Sequence, residues 1–154
     1  MDAVSILRSK WLLITAYAFF FVSLVLPTIS VDLGSNGGPV QSGYRVFLGG
    51  PVAAFGIILE PGGDMGNRYL GIYLVLAWLA NLVLLLPLIN VIPPLFRRVF
   101  GAFAALLTWS LLCWHAIDPG ELIQQIGSGY YFWAIAITMV VLFLWVDTIP
   151  ARSG

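Results

Sequence analysis

Four long apolar stretches, residues 11–29, 69–91, 99–117 and 130–146, are separated by short polar breaks and fill most of this 154-residue chain. Each is close to the ~17 to 25 residues that a helix needs to cross the hydrocarbon core of a bilayer. No water is available there, so every backbone amide must find its partner within its own segment. The expected fold is therefore all-α and polytopic: one domain over residues 1–154, built as a bundle of four transmembrane helices. Hydrophobic residues make up 60% and charged residues 9% of the chain, against roughly 25% charged in a soluble domain.

The first stretch follows Arg8 and Lys10 as a signal sequence would. Its apolar run exceeds the ~7 to 15 residues of a signal core, and no A-x-A pattern follows Pro27, so it is expected to persist as a first span. With the N-terminus in the cytoplasm, Arg8, Lys10, Arg97, Arg98 and Arg152 collect on the inner side, and only Arg45 and Arg68 on the outer side. That asymmetry in short loops predicts two cytoplasmic termini. Trp11, Phe96, Phe100 and Trp145 then mark the inner boundary, and Tyr69, Trp114, Tyr130, Tyr131 and Trp133 the outer one, where amphipathic rings prefer the headgroup level. Arg97 and Arg98, after Pro93 and Pro94, are read as anchors to anionic lipid headgroups.

The outer loop 31–68 holds ten of the sixteen glycines and is the least ordinary segment. Between its glycine-rich flanks, residues 46–59 form an apolar run of about 14 residues, too short to span and long enough for a re-entrant or interfacial helix. Crossing there would also invert every later loop. Two readings stand open for it, a cap on the bundle and a binding surface for a partner or lipid.

Asn81 falls near the middle of the second apolar stretch, where an unpaired amide is costly. Counting along antiparallel neighbours brings Thr108 and Thr138 to a similar depth, so the three are expected to form a polar cluster that fixes helix rotation. A contact with a substrate or ion is the alternative. In the third stretch Gly101, Thr108 and His115 recur every seven residues, and Gly101 with Ala105 has the small-xxx-small spacing of a close helix contact. His115, the single histidine, lies three residues before Asp118. The pair is a candidate outer-face site that could respond to protons, beside the plainer reading of a hydrogen-bonded interfacial histidine.

Catalytic signatures are few. The sequence has no HExxH, GxSxG, CxxC or P-loop pattern, and the lone Cys113 excludes an internal disulfide and a multi-cysteine metal site. Glu60, Asp64 and Asn67 offer oxygen ligands without the spacing of a calcium loop. No cofactor or metal is expected, and a chain of zero net charge without a basic arm points away from nucleic acid. The expected partners are the lipid bilayer and a second membrane protein, either another copy or a different subunit.

The outer-loop plan is shared with claudin-like four-span proteins, but the paired loop cysteines and tryptophan motif of that family are missing. Gly49-Gly50, Trp78-Leu79-Ala80-Asn81, Arg97-Arg98 and Gly129-Tyr130-Tyr131-Phe132-Trp133 loosely resemble small uncharacterised bacterial four-span inner-membrane proteins, over about the last two thirds of the chain. The resemblance implies a bacterial inner-membrane location and transfers no activity. The leading expectation is a non-enzymatic membrane protein acting through helix packing and outer-loop contacts. A small channel or carrier with a polar pathway near Asn81, and a lipid-modifying enzyme using His115, are the alternatives.

Overall fold

The computed structural model describes residues 3–31, 41–59, 65–89, 91–117 and 123–147. The glycine-rich run 34–39 and the acids Glu60, Asp64 and Asp118 lie outside them. Five α-helices dominate: α1 (Ala3–Val25), α2 (Gly43–Leu59), α3 (Met65–Leu79), α4 (Pro94–Ile117) and α5 (Ser128–Asp147). Among the described residues three stretches are long and apolar enough to cross a membrane, Gly71–Leu88, Pro94–Cys113 and Ser128–Val146. The apolar parts of α1, Lys10–Val25, and of α2 are shorter.

Three strands, β1 (Pro27–Val31), β2 (Gln41–Ser42) and β3 (Ile123–Ile126), form an antiparallel sheet in the order β2-β1-β3. The fold is mostly helical, as expected, with this small sheet added, and the first helix ends at Val25 and not at residue 29. Pro27 cannot supply the amide that would extend α1, yet it is tolerated as the first residue of a strand. The sheet gathers the end of α1 and the starts of α2 and α5 at one end of the bundle. Gly43 donates its amide to the Leu26 carbonyl at 3.0 Å, and Gly127 donates to the Thr28 carbonyl at 2.7 Å. Because β1 leaves α1 and the antiparallel β3 leads into α5, these two helices run in opposite directions, and they form the most extensive helix pair.

The second expected span is also not one α-helix. After Leu79 the backbone tightens into a 3-10 stretch, Ala80–Leu88, far longer than the few residues usual for that form. Pro87 lies inside it and has no N–H for the carbonyl three residues back. That carbonyl, of Leu84, instead accepts from the Tyr17 hydroxyl of α1 at 2.6 Å. The same solution appears in α2. Pro51 leaves the Phe47 carbonyl without its helical donor, and the Trp78 indole N–H of α3 donates to it at 2.7 Å. In an apolar medium each such carbonyl would otherwise be left uncompensated, so two prolines fix two helix pairings.

The core between α1, the 3-10 stretch, α4 and α5 is built from Ala16, Val83, Leu84, Ala104, Ile137, Val140 and Leu144, all buried. A smaller cluster of Ile29, Leu111, Tyr130 and Ala134 joins the sheet to the bundle. Helix α4 turns Gly101, Ala104, Thr108 and Leu111 inward at helical spacing. Gly101 lies on Val141 and Leu144 of α5, and Ala105 is half-buried beside this row.

Candidate binding cavity

Beneath the sheet, α1, α2, α3 and α5 enclose a partly open cavity of about 410 Å³. Its walls are mainly apolar, from Phe20, Val46, Phe47, Ala53, Ile57 and Leu74, and its polar residues include Arg45 and Asn81. A chain of hydrogen bonds links its walls. The Trp133 indole of α5 donates to Asn81 Oδ1 at 2.8 Å, and Asn81 Nδ2 donates to the Trp78 carbonyl at 2.7 Å. Trp78 in turn reaches the Phe47 carbonyl of α2. The amide thus sits at the junction where α3 gives way to the 3-10 stretch, and it ties that junction to α5.

Asn81, Thr108 and Thr138 do not hydrogen-bond to one another, which corrects the expected three-way cluster. Thr108 donates to the Ala104 carbonyl and Thr138 to the Ala134 carbonyl, both at 2.8 Å, the back-bond that helical threonines make to their own preceding turn. Their contacts to other helices come from aromatic donors. Trp109 donates its indole N–H to Thr138 Oγ1 at 2.9 Å, and the Tyr130 hydroxyl donates to the Thr108 carbonyl. Nearby, Tyr73 of α3 bridges to the Leu107 carbonyl and to Ser110 of α4 at 3.1 and 2.7 Å. Tyr130 and Trp133, read in the sequence as boundary markers, together with Tyr17, Tyr73, Trp78 and Trp109, therefore carry much of the polar bonding between helices.

His115 is half-buried near the end of α4, and its Nδ1 is buried with no hydrogen-bond partner among the described residues; its proposed partner Asp118 lies outside them. No cluster of metal-binding side chains occurs among the described residues. Arg97 and Arg98 are both half-buried in the first turns of α4. The Arg98 guanidinium lies 5.4 Å from the Trp145 ring centroid, a cation–π arrangement.

Arg45 was legible only as a topology marker, yet it lines the cavity. Its Nε donates to the Tyr44 hydroxyl at 3.1 Å. Hydrogen bonds from Arg45, and then from Ser42, hold that hydroxyl below the ordinary phenol range.

Replacement of Asn81 by leucine removes both ends of its bridge and strands the Trp133 indole. The expected cost is ~0.6 to 2 kcal/mol, the range of interhelical polar contacts in membranes. Unfolding in bicelles reads it, and an unchanged stability would show that the bridge contributes nothing. No family model matches this chain, and no curated protein or solved structure matches it either.

Proposed function

We propose that this chain is a non-enzymatic integral membrane protein that works by packing through α2 against another membrane protein, either a second copy or a different subunit. The observation that carries this reading is the outward face of α2. Leu48, Val52, Phe55 and Leu59 follow helical spacing and are 71%, 75%, 51% and 75% exposed. Beside them, Gly49 and Gly56 have open space where a Cβ would stand, and small residues let a second helix approach closely. The opposite face is committed, since Ala54 is buried and Gly71 of α3 presses against Ala54 and Ile58. Exposed apolar side chains suit lipid as well, so it is the two glycines on this face, which let a second helix come close, that favour a protein contact.

In the proposed arrangement the protein lies in a bacterial inner membrane with both termini cytoplasmic and α1 as a fourth span. The sheet and α2 then sit toward the outer leaflet. The carrier reading draws support from one feature, the helix break at Asn81 beside a cavity. Against it, Asn81 already bonds through both its oxygen and its nitrogen.

The test is association in lipid. A Val52→Cys variant in a Cys113→Ala background should give a disulfide-linked dimer, or a link to a co-purifying subunit, on mild oxidation of native membranes. Serine at Leu48, Val52, Phe55 and Leu59 together should abolish association while the protein still extracts folded. A monomer with no co-purifying protein before and after these changes would overturn the reading.

A further inference from the structure

The cavity is a separate feature from the outward stripe of α2, and its chemistry is selective. Its polar walls are turned inward on the protein. Ser23 donates to the Phe20 carbonyl at 2.6 Å and Thr28 to the Leu26 carbonyl at 3.3 Å. Trp78, Trp133 and Tyr130 spend their donors on Phe47, Asn81 and Thr108, and Gln41 also has a partner. Arg45 differs. Its guanidinium has five N–H groups, of which the one on Nε reaches Tyr44. It forms no ion pair among the described residues.

A ligand suited to such a cavity has a long apolar body, which needs no hydrogen bonds, and one anionic end. The wall stretches Gly71–Leu88 and Ser128–Val146 are apolar enough to span a membrane, so the surrounding hydrocarbon supplies that body. Arg45 lies in the first turn of α2, directly after β2, at the sheet end of the bundle, where an arginine can keep its stem on apolar surface and its head among phosphates. The volume is near the lower end of the ~300 to 1,000 Å³ of ligand pockets, room for one chain and not for a whole lipid.

We infer that this cavity holds one acyl chain of an anionic phospholipid, whose phosphate is gripped by Arg45. Arginine suits the task because its planar fork can give two parallel hydrogen bonds to one phosphate. The remainder of the lipid stays in the surrounding leaflet.

Native mass spectrometry of the purified, delipidated protein tests this with palmitoyl-oleoyl phosphatidylglycerol and the diacylglycerol of identical chains, which lacks the phosphate. The wild type should bind one phosphatidylglycerol about 10-fold more tightly than the diacylglycerol, the worth of one charge-assisted contact. Arg45→Gln should bring the two lipids within about 2-fold of each other. Ala53→Phe, which fills the cavity, should remove tight binding of both. Arg68→Gln, at an exposed arginine that does not line the cavity, should retain the preference. Equal binding by the wild type, an unchanged preference in Arg45→Gln or full occupancy in Ala53→Phe would overturn the inference. Should Ala53→Phe fail to fold, a phosphatidylglycerol with a diazirine in its tail keeps the question open to test on the wild type. Adducts on Ile57, Leu74 or Trp78 would support it, and adducts confined to exposed residues of α4 such as Leu106 would overturn it.

Discussion

Replacement of Gly43 by valine is expected to leave almost no folded protein. Gly43 is buried where β2 passes into α2, and a Cβ there would overlap the Ser23 carbonyl oxygen and stand 2.8 Å from the Ser23 carbonyl carbon and 2.9 Å from Leu24 Cα. All three are backbone atoms of α1, so no side-chain rotation relieves the clash. Separating the two segments would also break the Gly43 amide bond to Leu26 and lift one strand pairing from the sheet. The expected cost exceeds about 4 kcal/mol, in the range reserved for such specific lesions. Yield of monodisperse protein after mild extraction and the thermal midpoint measure it. Alanine at Gly43 should already be damaging, whereas alanine at Gly56, on the same helix with open space around it, should be neutral or gain up to about 1 kcal/mol of helix propensity. A wild-type yield and midpoint for Gly43→Val would mean that α1 and α2 do not meet there.

The length and apolarity of α4 and α5 were legible because 20 or more unbroken helix-compatible residues leave few other options in a membrane. Residues 46–59 likewise read as a helix, and they lie within α2. The strands did not show. Pro27–Val31 continues an apolar run, and a short apolar segment carries no periodicity that separates strand from helix; only Pro27 hinted at the break. The 3-10 stretch was hidden for a related reason. Ala80–Leu88 is apolar on almost every side, so its sequence has no face whose spacing could distinguish three residues per turn from 3.6.

The site was legible in one residue and misread in its partners. Asn81 stands out in any apolar stretch, but depth counting paired it with Thr108 and Thr138, whose hydroxyls are claimed by their own helices. Its real partner, Trp133, lies only five residues after the start of α5. The count assumed that the apolar stretches begin at one level, whereas Trp133, near the start of the fourth, meets Asn81, well inside the second. Arg45 escaped notice because its role depends on the cavity, which exists only once α2 folds back on the bundle.

The two proline-carbonyl pairings lead to the sharpest energetic test. Phe47 loses its helical donor to Pro51, and the Trp78 indole takes that donor's place. Trp78→Phe should therefore cost about 1 to 3 kcal/mol for the stranded carbonyl, beyond any loss of packing. In a Pro51→Ala background the helix can supply its own N–H, and the same Trp78→Phe change should cost less by about that amount. Packing losses are common to both backgrounds and cancel in the cycle. Reversible unfolding in bicelles of the four proteins gives the coupling directly. Tyr17→Phe with Pro87→Ala forms the matching cycle at the Leu84 carbonyl, where the 3-10 ladder would recover its donor. Equal costs of Trp78→Phe with and without Pro51 would show that the Phe47 carbonyl is satisfied in some other way, and the indole would then hold α3 to α2 by packing alone.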